Sequence, residues 1–180
     1  MSVILSLIIC AMFVGIDQLL KFIVVENLYD GGFVTVIEGV LRFRYVENTG
    51  AVFGSFSNHT LVLTIFSVVL LGFSIFLLVT NRKRSKFVNV CLLLMISGGI
   101  GNIIDRIRLG YVIDFIEPLF VNFAVFNFAD CLITVGAFVL VGYLIYDLVK
   151  DVKKNKSTKN TEDNSFDETN GKTEKPDGTQ

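Results

Sequence analysis

The sequence has little of the side-chain chemistry on which metal-dependent enzymes rely. Histidine occurs once among 180 residues, as His59, and lies outside any His-Glu-x-x-His pattern. A zinc site is therefore not expected, and no cofactor is expected either. A phosphate-binding glycine loop is also absent, because Ile104 stands where a third glycine would complete the pattern begun by Gly99 and Gly101.

Cysteine is scarce as well, and the number of cysteines is odd. Cys10, Cys91 and Cys131 all lie in or beside apolar segments, which indicates buried packing thiols rather than a disulfide framework. Cys131 follows Asp130, yet a nucleophilic thiol needs a base, and only folding could bring His59 to it. Carboxylates remain as the candidates for chemistry.

Apolar residues, by contrast, are abundant: they make up 52% of the chain, and the mean hydropathy is +0.63. They gather in four long runs, 3–25, 61–79, 87–104 and 128–149. Each run approaches the roughly 20 residues that a helix needs to cross a bilayer. Because lipid leaves no backbone polar group unpaired, the runs predict an all-α membrane protein with four transmembrane helices. The first run has no basic region before it and is expected to be retained as a span rather than removed as a signal peptide.

The basic residues predict the orientation of these spans. One basic cluster lies at 81–86, and five lysines follow the fourth run between positions 150 and 159. Since basic loops stay in the cytoplasm, both termini are predicted inside, and the connections 26–60 and 105–127 outside.

The chain is predicted to divide near residue 150 into a membrane domain, 1–150, and a polar tail, 151–180. The tail is poor in apolar residues and is predicted to be disordered and cytoplasmic. Its lysines are expected to contact anionic membrane lipids.

The outer connection 26–60 carries the signals of a β-hairpin. Runs of strand-forming residues at 33–37 and 41–46 flank a turn at Gly39. Apolar and basic residues alternate along the second run, so the apolar side of this small sheet is predicted to face the membrane or a substrate. Phe53, further along, is expected to help anchor a short interfacial helix.

Asp17 and Lys21 are ionisable residues inside the first apolar run. They lie one helical turn apart with the acid first, which is the favourable order for an ion pair. Because such residues are costly in a membrane, the pair is predicted to face the bundle interior. The alternative is a pair near the interface, with Lys21 extending outward to water.

A stripe of small and polar residues is predicted on the third apolar run. Gly98, Asn102, Asp105 and Arg106 recur at intervals that place them on one helical face. Small residues allow neighbouring helices to approach closely, and the Asn102 amide can form an interhelical hydrogen bond.

Two carboxylates, Asp114 and Asp130, are expected to meet at the outer membrane surface. Asp114 follows the third apolar run among apolar neighbours, and Asp130 begins the fourth. Adjacent carboxylates do not both ionise readily, so such a pair holds one proton. The ionised acid can then deprotonate water while the protonated acid hydrogen-bonds a scissile amide and protonates its leaving nitrogen.

The expected positions of the two acids also suggest their roles. With Asn127 as the N-cap, Asp130 is the third residue of its helix, where the helix dipole favours negative charge. Asp130 is therefore predicted to be the more readily ionised acid and Asp114 the more often protonated. The alternative is that each acid only caps a helix or pairs with Arg106 or Arg108.

These residues resemble the motifs of lipoprotein signal peptidase (signal peptidase II), a bacterial membrane aspartic protease. The resemblance extends from about residue 14 to 142. Five motifs occur in order: Asp17-Gln18-Leu19-Leu20-Lys21, Asn48-Thr49-Gly50-Ala51-Val52-Phe53-Gly54, Gly101-Asn102-Ile103-Ile104-Asp105-Arg106, Gly110-Tyr111-Val112-Ile113-Asp114-Phe115 and Phe126-Asn127-Phe128-Ala129-Asp130.

The resemblance implies a four-helix bundle with an extracytoplasmic β-cradle in the bacterial cytoplasmic membrane. It implies Asp114 and Asp130 as catalytic residues that cleave a prolipoprotein before its diacylglyceryl-modified cysteine, with no nucleic-acid partner. The residues that match supporting positions of the family are Asn48, Gly50, Asn102, Asp105, Arg106, Asn127, Ala129, Asp17 and Lys21.

Two other functions compete with this one. A small ion-coupled transporter would use Asp17, Lys21, Asp105 and Arg106 as a relay. It would require polar residues that reach both membrane faces, whereas the run 61–79 offers no polar path. A non-enzymatic scaffold would use the cradle as a docking surface.

Overall fold

The computed structural model describes residues 3–50, 59–80 and 85–170. Its elements in chain order are α1 (Val3–Leu28), β1 (Phe33–Ile37), β2 (Leu41–Asn48), α2 (His59–Thr80), α3 (Lys86–Leu109), β3 (Val112–Pro118) and α4 (Phe128–Asn170). The chain divides into two compact units, Met1–Leu140 and Val141–Gln180. The second unit contains the later part of α4.

Three helical segments are long and apolar enough to cross a membrane, namely Val3–Leu28, Lys86–Leu109 and Phe128–Lys154. Helix α2 contains a shorter apolar stretch, Ser67–Thr80. Large apolar side chains on these helices point outward, as Leu7, Phe76 and Phe138 do, which is how a bundle presents itself to lipid. The protein is therefore multi-pass, while a fourth span through α2 stays a prediction.

Helix α3 is the buried helix of the first unit. It begins after Ser85, whose side chain accepts a hydrogen bond from the backbone N–H of Phe87, and it ends at Gly110 in the left-handed conformation (φ 85°). A Cβ on Gly98 would fall on the carbonyl oxygen of Ala129 in α4, and one on Gly136 would lie 2.8 Å from the Cys91 carbonyl oxygen. The predicted close approach of helices at small residues is confirmed.

The three strands form an antiparallel sheet in the order β1-β2-β3. The predicted hairpin is confirmed as β1 and β2. The third strand was not predicted: it comes from the connection 105–127, and it pairs Asn48 with Val112 and Arg42 with Glu117. Only tertiary contact joins β3 to β2, which is why local sequence gives no sign of the pairing.

The apolar side of the sheet packs in part on the protein itself. Its buried cluster consists of Val24, Leu28, Ile113 and Phe115, with Phe43 and Tyr45 packed against it. The C-terminal end of α1 covers the β2–β3 part of this side, whereas Val34 of β1, which pairs with Phe43, is exposed. Contact of this side with the membrane or a substrate stays a prediction. On the other side, Arg42 and Arg44 both pair with Glu117, and the hydrogen bond from Arg42 lowers the pKa of Glu117.

Helix α4 extends beyond the predicted boundary near residue 150 and ends at Asn170. The division of the chain at that boundary and the disorder of the tail stay predictions. The predicted interfacial helix near Phe53 lies outside the described residues.

Candidate active site

The segment after β3 brings Asp114 and Asp130 to one place. Phe126 pairs with Ile116 of β3 through hydrogen bonds of 2.8 and 3.1 Å. The residue after Phe126, Asn127, therefore lies beside Asp114, which is also on β3. Asn127 is fully buried and donates from Nδ2 to Asp114 Oδ1 at 2.6 Å. Helix α4 begins directly after it and carries Asp130 in its first turn.

Asn127 and Asp130 cap the start of α4 reciprocally. The backbone N–H of Asp130 donates to Asn127 Oδ1 at 2.9 Å, and the backbone N–H of Asn127 donates to Asp130 Oδ2 at 3.2 Å. This arrangement satisfies two N–H groups that a helix N-terminus leaves open. The predicted N-cap is confirmed, and the two acids share Asn127 as a hydrogen-bond partner.

Asp114 is almost completely enclosed, with 1% of its surface exposed. It accepts hydrogen bonds from the side-chain amides of Asn127 and Asn48, the latter at 2.7 Å. Burial raises the pKa of Asp114 to about 7, and the charge of Asp130 adds to that rise, while both amides and the Lys21 charge oppose it. A carboxyl group with such a pKa exchanges its proton near neutral pH.

The asparagine amides around the two acids are held in defined orientations. Asn48 Oδ1 accepts from the backbone N–H of Gly50 at 2.8 Å, and Asn102 Oδ1 accepts from Lys21 Nζ at 3.0 Å. Each oxygen is thus occupied by a donor, which leaves each NH₂ group to face a carboxylate. Asn102 donates to Asp130 Oδ1 at 2.8 Å. Gly50 itself has φ 84°, a conformation that favours glycine.

Behind these amides lies a buried ion cluster. The Lys21 ammonium lies 2.9 Å from Asp17 Oδ2 and 2.8 Å from Asp105 Oδ2, and all three residues are buried. Asp105 Oδ2 also accepts from the backbone N–H of Ile113 at 3.2 Å. The predicted Asp17–Lys21 pair is confirmed, and it faces the interior rather than extending outward to water.

Asp17 also fixes the position of α4. The backbone N–H of Ala129, in the first turn of α4, donates to Asp17 Oδ1 at 3.0 Å. A Cβ on Gly101 would lie 2.5 Å from Asp17 Oδ2, so the glycine gives this carboxylate its space. The negative charge at the helix start is favoured by the dipole of α4.

A cavity of about 200 Å³ opens beside Asp130. Arg106 and Asn102 supply polar groups to its wall, while the remaining lining is mostly apolar. Arg106 Nη1 donates to Ser67 Oγ at 3.3 Å, which links α3 to α2. Pockets of this kind, apolar with a few placed polar groups, are typical of ligand sites.

The site residues named from the sequence thus fall into one connected region. Gln18 was missed as a member of it. Its Nε2 donates to Asp105 Oδ1 at 3.0 Å and to the Gly101 carbonyl at 3.2 Å. Its position next to Asp17 was the only sequence signal that it belongs to the site. A glutamine on a membrane helix does not by itself indicate which residues it hydrogen-bonds.

Fold and site together define a membrane protein with a buried centre of carboxylates and amides. Residues 9–146 match the sequence profile of the signal peptidase (SPase) II family. Lipoprotein signal peptidases from Streptococcus thermophilus (strain CNRZ 1066) and Streptococcus pyogenes serotype M5 (strain Manfredo) are each 41% identical over 128 residues, covering 71% of this chain and 84% of the relative.

Two solved structures of a bacterial membrane enzyme, determined by the in meso method, are also similar. The first has a TM-score of 0.72, with 81% of this chain and 90% of the other covered. The second has a TM-score of 0.74, with 81% and 95% covered, and each is 28% identical in sequence. The chain belongs to the signal peptidase II family, and it is accordingly a membrane protease.

Proposed function

We propose that the protein removes the signal peptide from diacylglyceryl-modified prolipoproteins as an aspartic endopeptidase, cleaving before the modified cysteine. Membership of the signal peptidase II family supports the reaction. The observation that carries the chemistry is the junction at Asn127, which hydrogen-bonds both Asp114 and Asp130. Asn127 donates to Asp114 from its side chain and to Asp130 from its backbone N–H. One residue thus brings both carboxylates to the same centre, which supports the proposal that they share a proton.

The surroundings of the acids support different roles for them. Asp130 accepts hydrogen bonds from a backbone N–H and from an amide, and it lies at a helix N-terminus that favours its charge. Asp114 is enclosed and has a pKa of about 7. Asp130 is thus proposed to take the proton of the attacking water, and Asp114 to hydrogen-bond the scissile carbonyl and then protonate the leaving nitrogen.

The walls around the acids suit a peptide that carries lipid. The cavity beside Asp130 is mostly apolar, with Arg106 able to bind a peptide carbonyl. Outward-facing apolar side chains on α1 and α2 leave the bundle surface compatible with acyl chains. We place the site at the outer face of the bacterial cytoplasmic membrane, with four spans and both termini in the cytoplasm, since the basic clusters favour that orientation.

Cleavage by the purified protein in lipid tests this function. A diacylglyceryl-modified precursor should be cut before its modified cysteine, and the unmodified precursor should remain whole. Asp114→Asn and Asp130→Asn should each abolish cleavage, while Asp151→Asn, which changes an exposed acid of α4, should cleave normally. Full activity in either site variant would refute the dyad. An intact precursor with the wild-type protein would instead favour a transporter or a scaffold.

A further inference from the structure

Lys21 makes a contact that a simple ion pair does not need. Its ammonium, 2% exposed, already meets the carboxylates of Asp17 and Asp105. It also donates at 3.0 Å to a neutral group, the oxygen of Asn102. Buried ion pairs are often no more stabilising than apolar replacements, so stability alone gives little reason for this third contact.

The contact determines which way the Asn102 amide points. If the amide were reversed, its NH₂ group would face the Lys21 ammonium and the Asn127 amide, both of which donate to Asn102 Oδ1 in the structure. The NH₂ group of Asn102 would then point at two other hydrogen-bond donors, which is unfavourable. In the observed orientation the NH₂ group faces Asp130 Oδ1 at 2.8 Å. The bond from the ammonium also polarises the amide and strengthens its hydrogen bond to the carboxylate.

We propose that Lys21 is a positioning residue for the cleavage reaction: through Asn102 it keeps Asp130 hydrogen-bonded and ionised, so that the shared proton stays on Asp114. The inference rests on the function proposed above. Lys21 acts on the dyad in two ways: its N–H donor orients the Asn102 amide, and its positive charge acts across the centre, where it reaches Asp114 as well.

Other charges also face this centre, and the acids among them strengthen the expected effect, whereas Arg106 opposes it. They lie on every element packed around Asp130: Asp17 on α1, Asp105 and Arg106 on α3, and Asp114 on β3. Without the Lys21 ammonium, the carboxylates of Asp17 and Asp105 would lose their shared counterion. The centre would become more negative, and a second carboxylate would be harder to ionise.

Three substitutions separate the orienting hydrogen bond from the charge. Lys21→Gln retains an N–H donor without charge, Lys21→Met removes both, and Lys21→Arg retains both. The measurement is the pH profile of kcat/KM for the lipid-modified precursor, whose acid limb reports ionisation of the essential base. We expect the acid limb of both neutral variants to move up by about one pH unit, the scale set by a nearby opposite charge. We expect Lys21→Arg to keep the wild-type limb even if its rate is lower.

The rate should separate the two neutral variants. Loss of the oriented hydrogen bond to a charged group costs roughly 10- to 100-fold, so kcat should fall further in Lys21→Met than in Lys21→Gln. Gly136→Ala is the control for destabilisation, because its Cβ would press on the Cys91 carbonyl oxygen within the bundle. It should lower the melting temperature without moving the acid limb.

Several results would overturn the inference. A neutral variant that folds and keeps the wild-type acid limb would do so, and so would an equal shift in Gly136→Ala. Failure of both neutral variants to fold would assign Lys21 to stability alone. The dyad is tested separately: if Asp114→Asn and Asp130→Asn abolish cleavage while the acid limb of the Lys21 variants stays in place, the proposed function stands and only the role of Lys21 falls.

Discussion

Replacing Asp114 with asparagine should remove much of the pH dependence of this protein's stability between pH 5 and 8. The pKa of Asp114 is raised by burial from 3.8 to about 7, so the folded protein retains a proton that the unfolded chain has lost. The stabilisation from this carboxyl is fully present below about pH 4 and is lost as the pH rises through about 7. The wild-type protein should therefore become less stable as the pH increases over this window.

The size of the effect follows from the two pKa values. Linkage between pH 5 and 8 for a carboxyl shifted from 3.8 to about 7 amounts to roughly 2.5 kcal/mol of unfolding free energy. For a chain of this size that is a change of roughly 5–10 °C in melting temperature. Asparagine cannot titrate, so this part of the change should disappear. Asparagine has one oxygen in place of two, so it also loses one of the hydrogen bonds that Asp114 accepts. Because this loss lowers the stability equally at both pH values, it does not affect the difference between them.

Thermal unfolding in one detergent at pH 5 and at pH 8 is a suitable assay. Glu117→Gln is the matched control, because Glu117 lies on the same strand but has a lowered pKa. Its contribution is present above its unfolded pKa and is lost only as the pH falls through the lower folded value, so the window from pH 5 to 8 should not register it. The Asp114→Asn protein should also be inactive at every pH.

If Asp114→Asn and the wild type lost the same stability between pH 5 and 8, the enclosed carboxyl would not be holding a proton. The assignment of Asp114 as the acid of the pair would then fail. A loss of pH dependence in Glu117→Gln would also contradict the assignment, since it would show that the slope comes from Glu117 rather than from Asp114.

Two further predictions concern packing and hydrogen bonding at the site. Gly98→Ala puts a Cβ against the Ala129 carbonyl oxygen and should separate α3 from α4, which should lower both the melting temperature and the cleavage rate. The Cβ of Gly99→Ala would lie at an ordinary 3.5 Å from a side chain, so this control should change neither quantity. Equal behaviour of the two variants would contradict the close approach of α3 and α4. Asn48→Ala removes the 2.7 Å hydrogen bond to Asp114 and should lower kcat/KM roughly 10- to 100-fold in a precursor-cleavage assay. Cleavage at the normal rate by this variant would show that Asn48 has no role in the site.

Some features of the fold followed from short stretches of sequence. Alternation of apolar and basic residues predicted β2, and a turn at Gly39 predicted its pairing with β1. Asn127 three residues before Asp130 predicted the cap of α4, which the hydrogen bonds between them confirm. In each case the interacting groups lie within a few residues, so the spacing of side chains along the chain is itself the structural information.

The amide orientations could not be predicted in this way. Whether Asn102 turns its oxygen or its NH₂ group toward Asp130 depends on Lys21, which lies 81 positions away. The same holds for the contact of Gln18 with Asp105, 87 positions apart. A hydrogen bond between residues far apart in the chain leaves no periodic pattern in the sequence. The residues next to each partner do not determine where its side chain bonds.

The sequence alone determined that this chain is membrane-embedded, that a hairpin precedes its second helix, and that two acids lie at the ends of apolar segments. Only the tertiary structure decided that β3 joins the hairpin, that the C-terminal end of α1 packs on strands β2 and β3, and that three asparagine amides face the two acids. The physical reason is the distance along the chain over which each signal acts, since periodicity and capping involve only a few neighbouring residues. The site depends instead on how closely α3 approaches α1 and α4. That approach is set by the contacts of Gly101 with Asp17 and of Gly98 with Ala129.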